Sequence, residues 1–381
     1  MFQNILPLTS WWTRLRSAAA LARRKPQLVL RIGLHALHNL LFRSSRLRSV
    51  DISVTSLCNF RCTHCYAESF VHEEPVPLEV LGRAIREAHR LGAFHFVLQG
   101  GEAIVDFDRL RTIIALTSPH RSYLTLVSNG WAMTPDRIAE LKRLGIDKIT
   151  VSLDSGIAEE HDRNRNRPGS YDRAVRALSH IVQAGLHTAI STVVTHKNLH
   201  SEGMQTLFRF ARENRYRIDV QVAQPVGMWE GRMDLLIDQE DAAYLRALRD
   251  PSQTNLNGQV LVNRDLYPTL CREGCPAVKE FLSITTKGEV LPCTFIQISL
   301  GNIRNRSLKE MRAAALRNEY FALYNPTCLS GEDRGFIDRY LARVWGQDKP
   351  GDGTRIFAGD RPTQASSPPN EDADRRTVSS R

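Results

Sequence analysis

Acidic residues are missing from the first 50 positions, where nine Lys and Arg occur and no Asp or Glu. The formal net charge is +10, so the other 331 positions are nearly neutral and the basicity is local. That excludes a protein coated in positive charge for nucleic acid, and no RNA-binding aromatic signature accompanies the basic residues. Long hydrophobic runs are also missing. The apolar stretch from Leu28 to Leu41 is interrupted by Arg31, His35 and His38, well short of the ~20 residues of a membrane span. There is no secretory signal, and a cleaved targeting peptide is disfavoured because no small-residue cleavage site precedes the first strand. Cysteines number seven. An odd count without a secretory signal excludes a disulfide framework and points to metal ligation. No short internal repeat is present.

With 381 residues, 42% apolar and 24% charged, the chain can bury one large core and a smaller appended unit. From about 50 to 250, short β-rich runs alternate with amphipathic stretches, the mark of βαβ units on a parallel sheet. Strands are expected at Ile52 to Ser56, Phe94 to Leu98, Tyr123 to Val127, Lys148 to Leu153, Thr188 to Val194 and Ile218 to Val222. Helices are expected near 77–91, 107–116, 135–143, 171–184, 201–214 and 239–248. Six units are too few to close an eight-unit barrel, so the fold class is α/β with a partial (β/α)6 barrel, its site at the strands' C-terminal ends.

Four regions follow. Residues 1–48 form a basic amphipathic arm containing Trp11, Trp12, Arg14, Arg16, Arg23, Arg24 and Lys25. It reads as helix lying across the barrel's outside or mouth, with peripheral membrane contact as the alternative. Residues 49–250 form the barrel, and 251–346 form a second unit with four cysteines and a helical stretch near 335–346. Residues 347–381, rich in Gly, Pro, Ser and Asp, read as a disordered tail.

The chemistry is concentrated in Cys58-Asn59-Phe60-Arg61-Cys62-Thr63-His64-Cys65-Tyr66, which follows the first strand. Three thiolates at this spacing can wrap one cubane while leaving one iron without a protein ligand. The competing reading is a zinc knuckle, which normally closes with a fourth Cys or His; His64 is wedged between two ligands.

In spacing, position and the aromatic residue after the last Cys, this segment resembles the signature of the radical S-adenosylmethionine superfamily. The resemblance implies a [4Fe-4S] cluster on Cys58, Cys62 and Cys65. The amino and carboxylate groups of S-adenosylmethionine chelate the fourth iron, and one electron cleaves a C–S bond to give a 5′-deoxyadenosyl radical. Gln99-Gly100-Gly101-Glu102 is similar to the family's GGE motif: Gly100 and Gly101 would let backbone approach a ligand, and Glu102 would meet the methionine ammonium. The family usually has Pro next, where this chain has Ala103. Ser128-Asn129-Gly130 matches an SNG-like element that bonds a ribose. Ser152 closes the fourth strand. In the later segment His161-Asp162-Arg163-Asn164-Arg165, Arg165 holds the family's Arg position and could bind the methionine carboxylate bidentately. The plain alternative is that Arg163, Arg165 and Arg167 form a solvated basic loop. The resemblance covers roughly residues 50–225.

Cys271, Cys275, Cys293 and Cys328 remain, matching the four thiolates of a closed [4Fe-4S] cluster. Cys275, Gly288 and Cys293 stand in a C-x12-G-x4-C pattern, which resembles the SPASM/twitch extension of the same superfamily. The dense cysteine run of full SPASM domains is absent, so one auxiliary cluster is expected. A four-Cys zinc ribbon would need two close CxxC knuckles, whereas these ligands spread over 58 residues. The partition of three and four leaves no cysteine to donate a hydrogen atom, which disfavours epimerisation by that route; Tyr66, Tyr216 or Tyr267 could substitute.

The expected function is a radical S-adenosylmethionine enzyme that abstracts a substrate hydrogen for oxidative modification of a peptide or protein side chain. The alternatives are a dehydrogenase or rearrangement enzyme for a small-molecule natural-product or amino-sugar intermediate, and a non-catalytic, zinc-stabilised binding module. The resemblance further implies a reducing cytoplasmic setting with a flavodoxin- or ferredoxin-like electron donor.

Overall fold

The computed structural model describes residues 19–42, 46–70, 74–249, 260–262 and 274–357. A helix α1 (Pro26–Leu41) precedes the first strand. The chain then alternates as β1 (Ser49–Thr55), α2 (Leu78–Arg90), β2 (His95–Gly100), α3 (Phe107–Leu116), β3 (Tyr123–Ser128), α4 (Pro135–Leu144) and β4 (Lys148–Ser152). It continues through α5 (Ala158–Arg165), α6 (Ser170–Gln183), β5 (His187–Val194), α7 (Glu202–Glu213), β6 (Arg217–Val222) and α8 (Gln239–Arg249). Local chemistry sets these boundaries. Before α4, the Thr134 side chain accepts from the Arg137 N–H and Pro135 opens the helix; Gly145, at φ 103°, ends it. Along α2, Leu81, Ala84, Ile85 and Ala88 recur at helical spacing and are buried against the sheet.

Strands β1 to β6 pair in parallel and in sequence order. The sheet is longer than the six strands expected. A short β7 (Val260–Val262) adds in parallel beyond β6. On the other side β8 (Phe281–Ile284) runs parallel to β1, and β9 (Val290–Leu291) pairs antiparallel with β8. The edges β7 and β9 do not pair, so among the described residues the barrel stays open. Through β8 the C-terminal unit continues the barrel's own sheet.

The N-terminal ends of the strands are closed by buried charge and by α1. Arg48 pairs with Glu280 at 3.0 Å, while Lys148 and Arg217 meet Asp219 at 2.6 and 2.8 Å. Leu28 and Ile32 of α1 pack against Phe94 and Tyr123. Lys25, just before α1, is buried; its ammonium donates to the carbonyls of Ser122 and Gly145, at 2.9 and 3.0 Å, and pairs with Asp147. The described part of the arm, residues 19–42, therefore lies across the end opposite the mouth, while Trp11, Trp12, Arg14 and Arg16 lie outside the described residues. Among the described residues no helix is long and apolar enough to cross a membrane.

After β9 come β10 (Ile298–Ser299), α9 (Leu308–Ala315), α10 (Glu319–Ala322) and α11 (Arg334–Arg339). The tail expected from 347 is corrected at its start. β11 (Gly351–Asp352) pairs in parallel with β10, and Gly351 and Gly353 are buried. Residues 358–381 lie outside the described residues.

Candidate active site

The loop that leaves β1 carries Cys58, Cys62 and Cys65 at the C-terminal end of the strand, and it is clamped from the side by the turn after β2. The Gly101 N–H donates to the Thr55 carbonyl at 2.9 Å, and the Glu102 N–H to the Leu57 carbonyl at 2.8 Å. A Cβ on Gly100 would stand 2.4 Å from the Thr55 carbonyl oxygen, and one on Gly101 2.2 Å from that of Leu57. The glycines thus have a structural reason besides approach to a ligand. They admit the backbone of the cysteine loop itself, while still lining the cavity beside it.

That cavity, about 1060 Å³ including its open mouth, is lined by the three cysteines together with Glu102, Ser128, Asn129, Ser152 and Arg165. All seven expected cofactor contacts, Gly100 and Gly101 included, therefore share one space. Their partners are specific. Glu102 is buried; one carboxylate oxygen accepts from the Ser128 hydroxyl at 2.9 Å and the other from the Asn129 N–H at 2.7 Å. Burial pushes the Glu102 carboxyl above its ordinary value, against these two hydrogen bonds. The Asn129 amide donates to the Asn59 side chain at 2.8 Å, tying the third strand's end to the cysteine loop.

Arg165 is engaged differently from the sequence-based expectation. Its Nη2 donates to Asp154 Oδ1 at 2.8 Å, its Nε lies 2.7 Å from Oδ2, and its Nη1 lies 3.8 Å from the Cys62 sulfur. It is no solvated loop residue, and only one end of its guanidinium faces the thiols. Burial would raise the Asp154 carboxyl, but Arg165, with His64 and His161, outweighs it and holds the group down to about 2. Burial pushes His64 down to about 4, and its Nε2 sits 3.5 Å from Asp154. Asp162 fixes the turn into α6, where its carboxylate accepts from the Ser170 hydroxyl and from the backbone N–H groups of Tyr171 and Gly169. Asp154 has no motif in the sequence that marks it. Its signal is its place two residues beyond the end of β4, on the face where barrel sites form.

Cys275, Cys293 and Cys328 are brought together in the C-terminal unit, close enough that each of Cys275 and Cys293 is affected by another thiol's charge. Burial pushes Cys275 up to about 12 and Cys58 and Cys65 up to about 11. Cys271 and Tyr267 lie outside the described residues. Among the described residues neither cysteine set brings three ligand atoms within 4.8 Å of one another, whereas tetrahedral zinc with Zn–S near 2.3 Å needs sulfurs about 3.8 Å apart.

The two sets adjoin. Tyr66, next to Cys65, meets Phe295, two residues after Cys293, edge to face with ring centroids 5.3 Å apart, and both rings line the cavity. The Gln297 amide donates to the Tyr66 carbonyl at 2.8 Å. Below them Gln99 donates to buried Asp51 at 2.9 Å and Thr294 to the same carboxylate at 3.2 Å. Tyr66 is thus at the site, whereas Tyr216, just before β6, stands at the other end and packs on Phe210.

Comparison with known proteins agrees with this geometry. Residues 52–211 match the radical SAM superfamily, and residues 275–330 match SPASM, an iron-sulfur cluster-binding domain. Over 288 residues the chain is 26% identical to an AdoMet-dependent heme synthase of Nitratidesulfovibrio vulgaris, covering 68% of this chain and 76% of that one. Over 275 residues it is 25% identical to the PqqA peptide cyclase of Methylocella silvestris, covering 68% and 72%. Among solved structures, Streptococcus suis SuiB bound to the precursor peptide SuiA superposes with a TM-score of 0.56 at 16% identity, over 82% of this chain and 71% of that one. The structure of anSMEcpe with bound AdoMet gives 0.55 at 19% identity, over 74% and 83%. At such identities the two structures speak for the fold.

Proposed function

From the premise that this chain belongs to the radical S-adenosylmethionine superfamily and carries a SPASM-type extension, we propose that it oxidises a peptide or protein side chain at the barrel mouth. Its cofactors are S-adenosylmethionine, a [4Fe-4S] cluster in the barrel and an auxiliary cluster in the extension. When bound, they supply an electron and a deoxyadenosyl radical able to take a hydrogen atom from an unactivated C–H bond. The chain's own residues do the binding and shielding. Cys58, Cys62 and Cys65 hold the first cluster and leave one iron free. Glu102, on the Ser128 and Asn129 framework, meets the ammonium of S-adenosylmethionine. The free end of Arg165 stands beside Cys62, where it offsets negative charge. Cys275, Cys293 and Cys328, with Cys271, hold the auxiliary cluster.

The observation that carries the oxidative reading is the Tyr66–Phe295 contact, through which the extension that carries the second cysteine group reaches the cavity lined by the first. Oxidation there would remove two hydrogens from the substrate: one hydrogen atom to the deoxyadenosyl radical, then one electron, for which the extension's cluster would be the acceptor, and one proton to solvent. Peptide chemistry is supported by relatives such as the PqqA peptide cyclase. A low-potential flavodoxin- or ferredoxin-like protein is the proposed electron donor. The heme synthase relatives favour a second reading, a small-molecule substrate. Anaerobic turnover with dithionite, S-adenosylmethionine and candidate substrates of each class tests both. The expected result is 5′-deoxyadenosine in step with a peptide lighter by two hydrogens. Stimulation only by a small molecule would select the second reading, and a product of unchanged mass would defeat oxidation.

A further inference from the structure

We infer that the outer face of α1 is a docking surface for an anionic lipid bilayer, set at the barrel end opposite the cysteine sites. The helix has two faces. Leu28, Ile32 and His35 are buried toward the barrel, whereas Leu30, Leu34, Leu37 and Leu41 recur at spacings of four, three and four on the opposite side. Those four are 64%, 50%, 50% and 65% exposed, and Leu40 and Phe42 add two more exposed apolar groups at the helix end. Six of the eleven large apolar side chains exposed among the described residues thus fall within 13 consecutive positions. Scattered exposed leucines are ordinary, but a contiguous stripe needs an occupant.

Charge selects the occupant. The stripe lies in a 50-residue stretch with nine Lys and Arg and no Asp or Glu; of these Lys25 and Arg48 pair inside with Asp147 and Glu280, whereas Arg23 and Arg24, just before α1, are exposed. An apolar stripe with cationic flanks and no acid matches the headgroup boundary of an anionic membrane, where apolar burial and attraction to lipid charge add. A second copy of the chain would bring the same positive charge against itself. The helix is also fixed in orientation. Lys25 is held by Ser122, Gly145 and Asp147, and Arg31 donates to the carbonyls of His89 and Ala93, at 3.1 and 2.6 Å. These partners lie at or before the starts of β2 to β4, so a membrane on α1 leaves the cavity mouth facing away from the lipid.

The test is flotation of the purified full chain with vesicles of phosphatidylcholine alone and of phosphatidylcholine with one quarter phosphatidylglycerol, alongside light scattering for oligomeric state. The expected result is binding to the anionic vesicles, weakened by salt and weakened at least about tenfold by the pair Leu34→Glu and Leu37→Glu. S-adenosylmethionine cleavage should stay unchanged in that variant, which shows that it is folded. Absence of vesicle binding by the parent chain would overturn the inference, as would binding that the pair leaves untouched. So would a parent dimer that the pair dissociates without any effect on lipid, since a second copy would then be the occupant.

Discussion

At the C-terminal ends of the strands Glu102 and Arg165 line a cavity, Glu102 held by Ser128 and Asn129, and Arg165 held by Asp154 with one guanidinium nitrogen 3.8 Å from the Cys62 sulfur. At the N-terminal ends Lys148, Arg217 and Asp219 are as deeply placed but close on one another. Both ends carry buried charge, and the difference is who completes it. At the closed end the protein supplies every counter-ion, so those charges orient strands. At the mouth the framework fixes Glu102 and Arg165 along a cavity, where under the proposed function bound cofactor would complete their interactions. Substitutions at the two ends should therefore separate stability from binding.

The largest stability effect is expected at the closed end. Asp219→Asn leaves Lys148 and Arg217 without their carboxylate and should cost about 3–5 kcal/mol in denaturant unfolding, while S-adenosylmethionine cleavage per folded chain stays unchanged. Burial would raise Asp219, but Arg217 and Lys148 hold it below its ordinary value. A depressed carboxyl contributes stability that is present above its unfolded pKa and is lost as pH falls through the folded value. The parent chain should therefore weaken below about pH 4, and the variant should lack that part of the slope. Equal unfolding midpoints for parent and variant would break the comparison from this side.

At the mouth the balance should invert. Glu102→Gln removes a charge-assisted interaction of about 1.5–3 kcal/mol, so S-adenosylmethionine should bind about 10- to 100-fold more weakly in anaerobic equilibrium dialysis, with a smaller change in stability. Stability lost with affinity intact would make Glu102 a prop for Ser128 and Asn129 alone. The smallest effect is expected at the mouth's exposed rim. His196 is raised by its hydrogen bond to Asp241, at 2.8 Å. Its contribution is present below the ordinary histidine value and lost as pH rises through the raised one. His196→Ala should lower the melting temperature slightly near pH 6 and not near pH 9, with cleavage unaltered. A loss of cleavage would place His196 in the site.

Much of this was legible because the barrel's periodicity is local. The helices expected near 107–116 and 135–143 end within a residue of α3 and α4, since Asp106, Thr134 and Gly145 mark their limits by cap chemistry. The cysteine loop was legible because its three cysteines lie within eight residues end to end. The pairing of β8 with β1 was not, because it joins positions more than 200 residues apart and neither strand's pattern names its partner. Arg165 was recognisable as a site residue, but its tie to Asp154 depends on how α5 folds back over the end of β4. The side on which α1 packs was equally hidden, because both of its faces are apolar.

Two adjoining cysteine sets holding two separate clusters is the central claim. Iron counting and electron paramagnetic resonance after anaerobic reconstitution test it most directly, on the parent chain and on Cys62→Ala and Cys293→Ala. About eight irons are predicted in the parent and about four in each variant. The Cys293→Ala spectrum should shift on adding S-adenosylmethionine, and 5′-deoxyadenosine formation should be abolished only by Cys62→Ala. Stoichiometric zinc in the parent, or cleavage that survives Cys62→Ala, would contradict it.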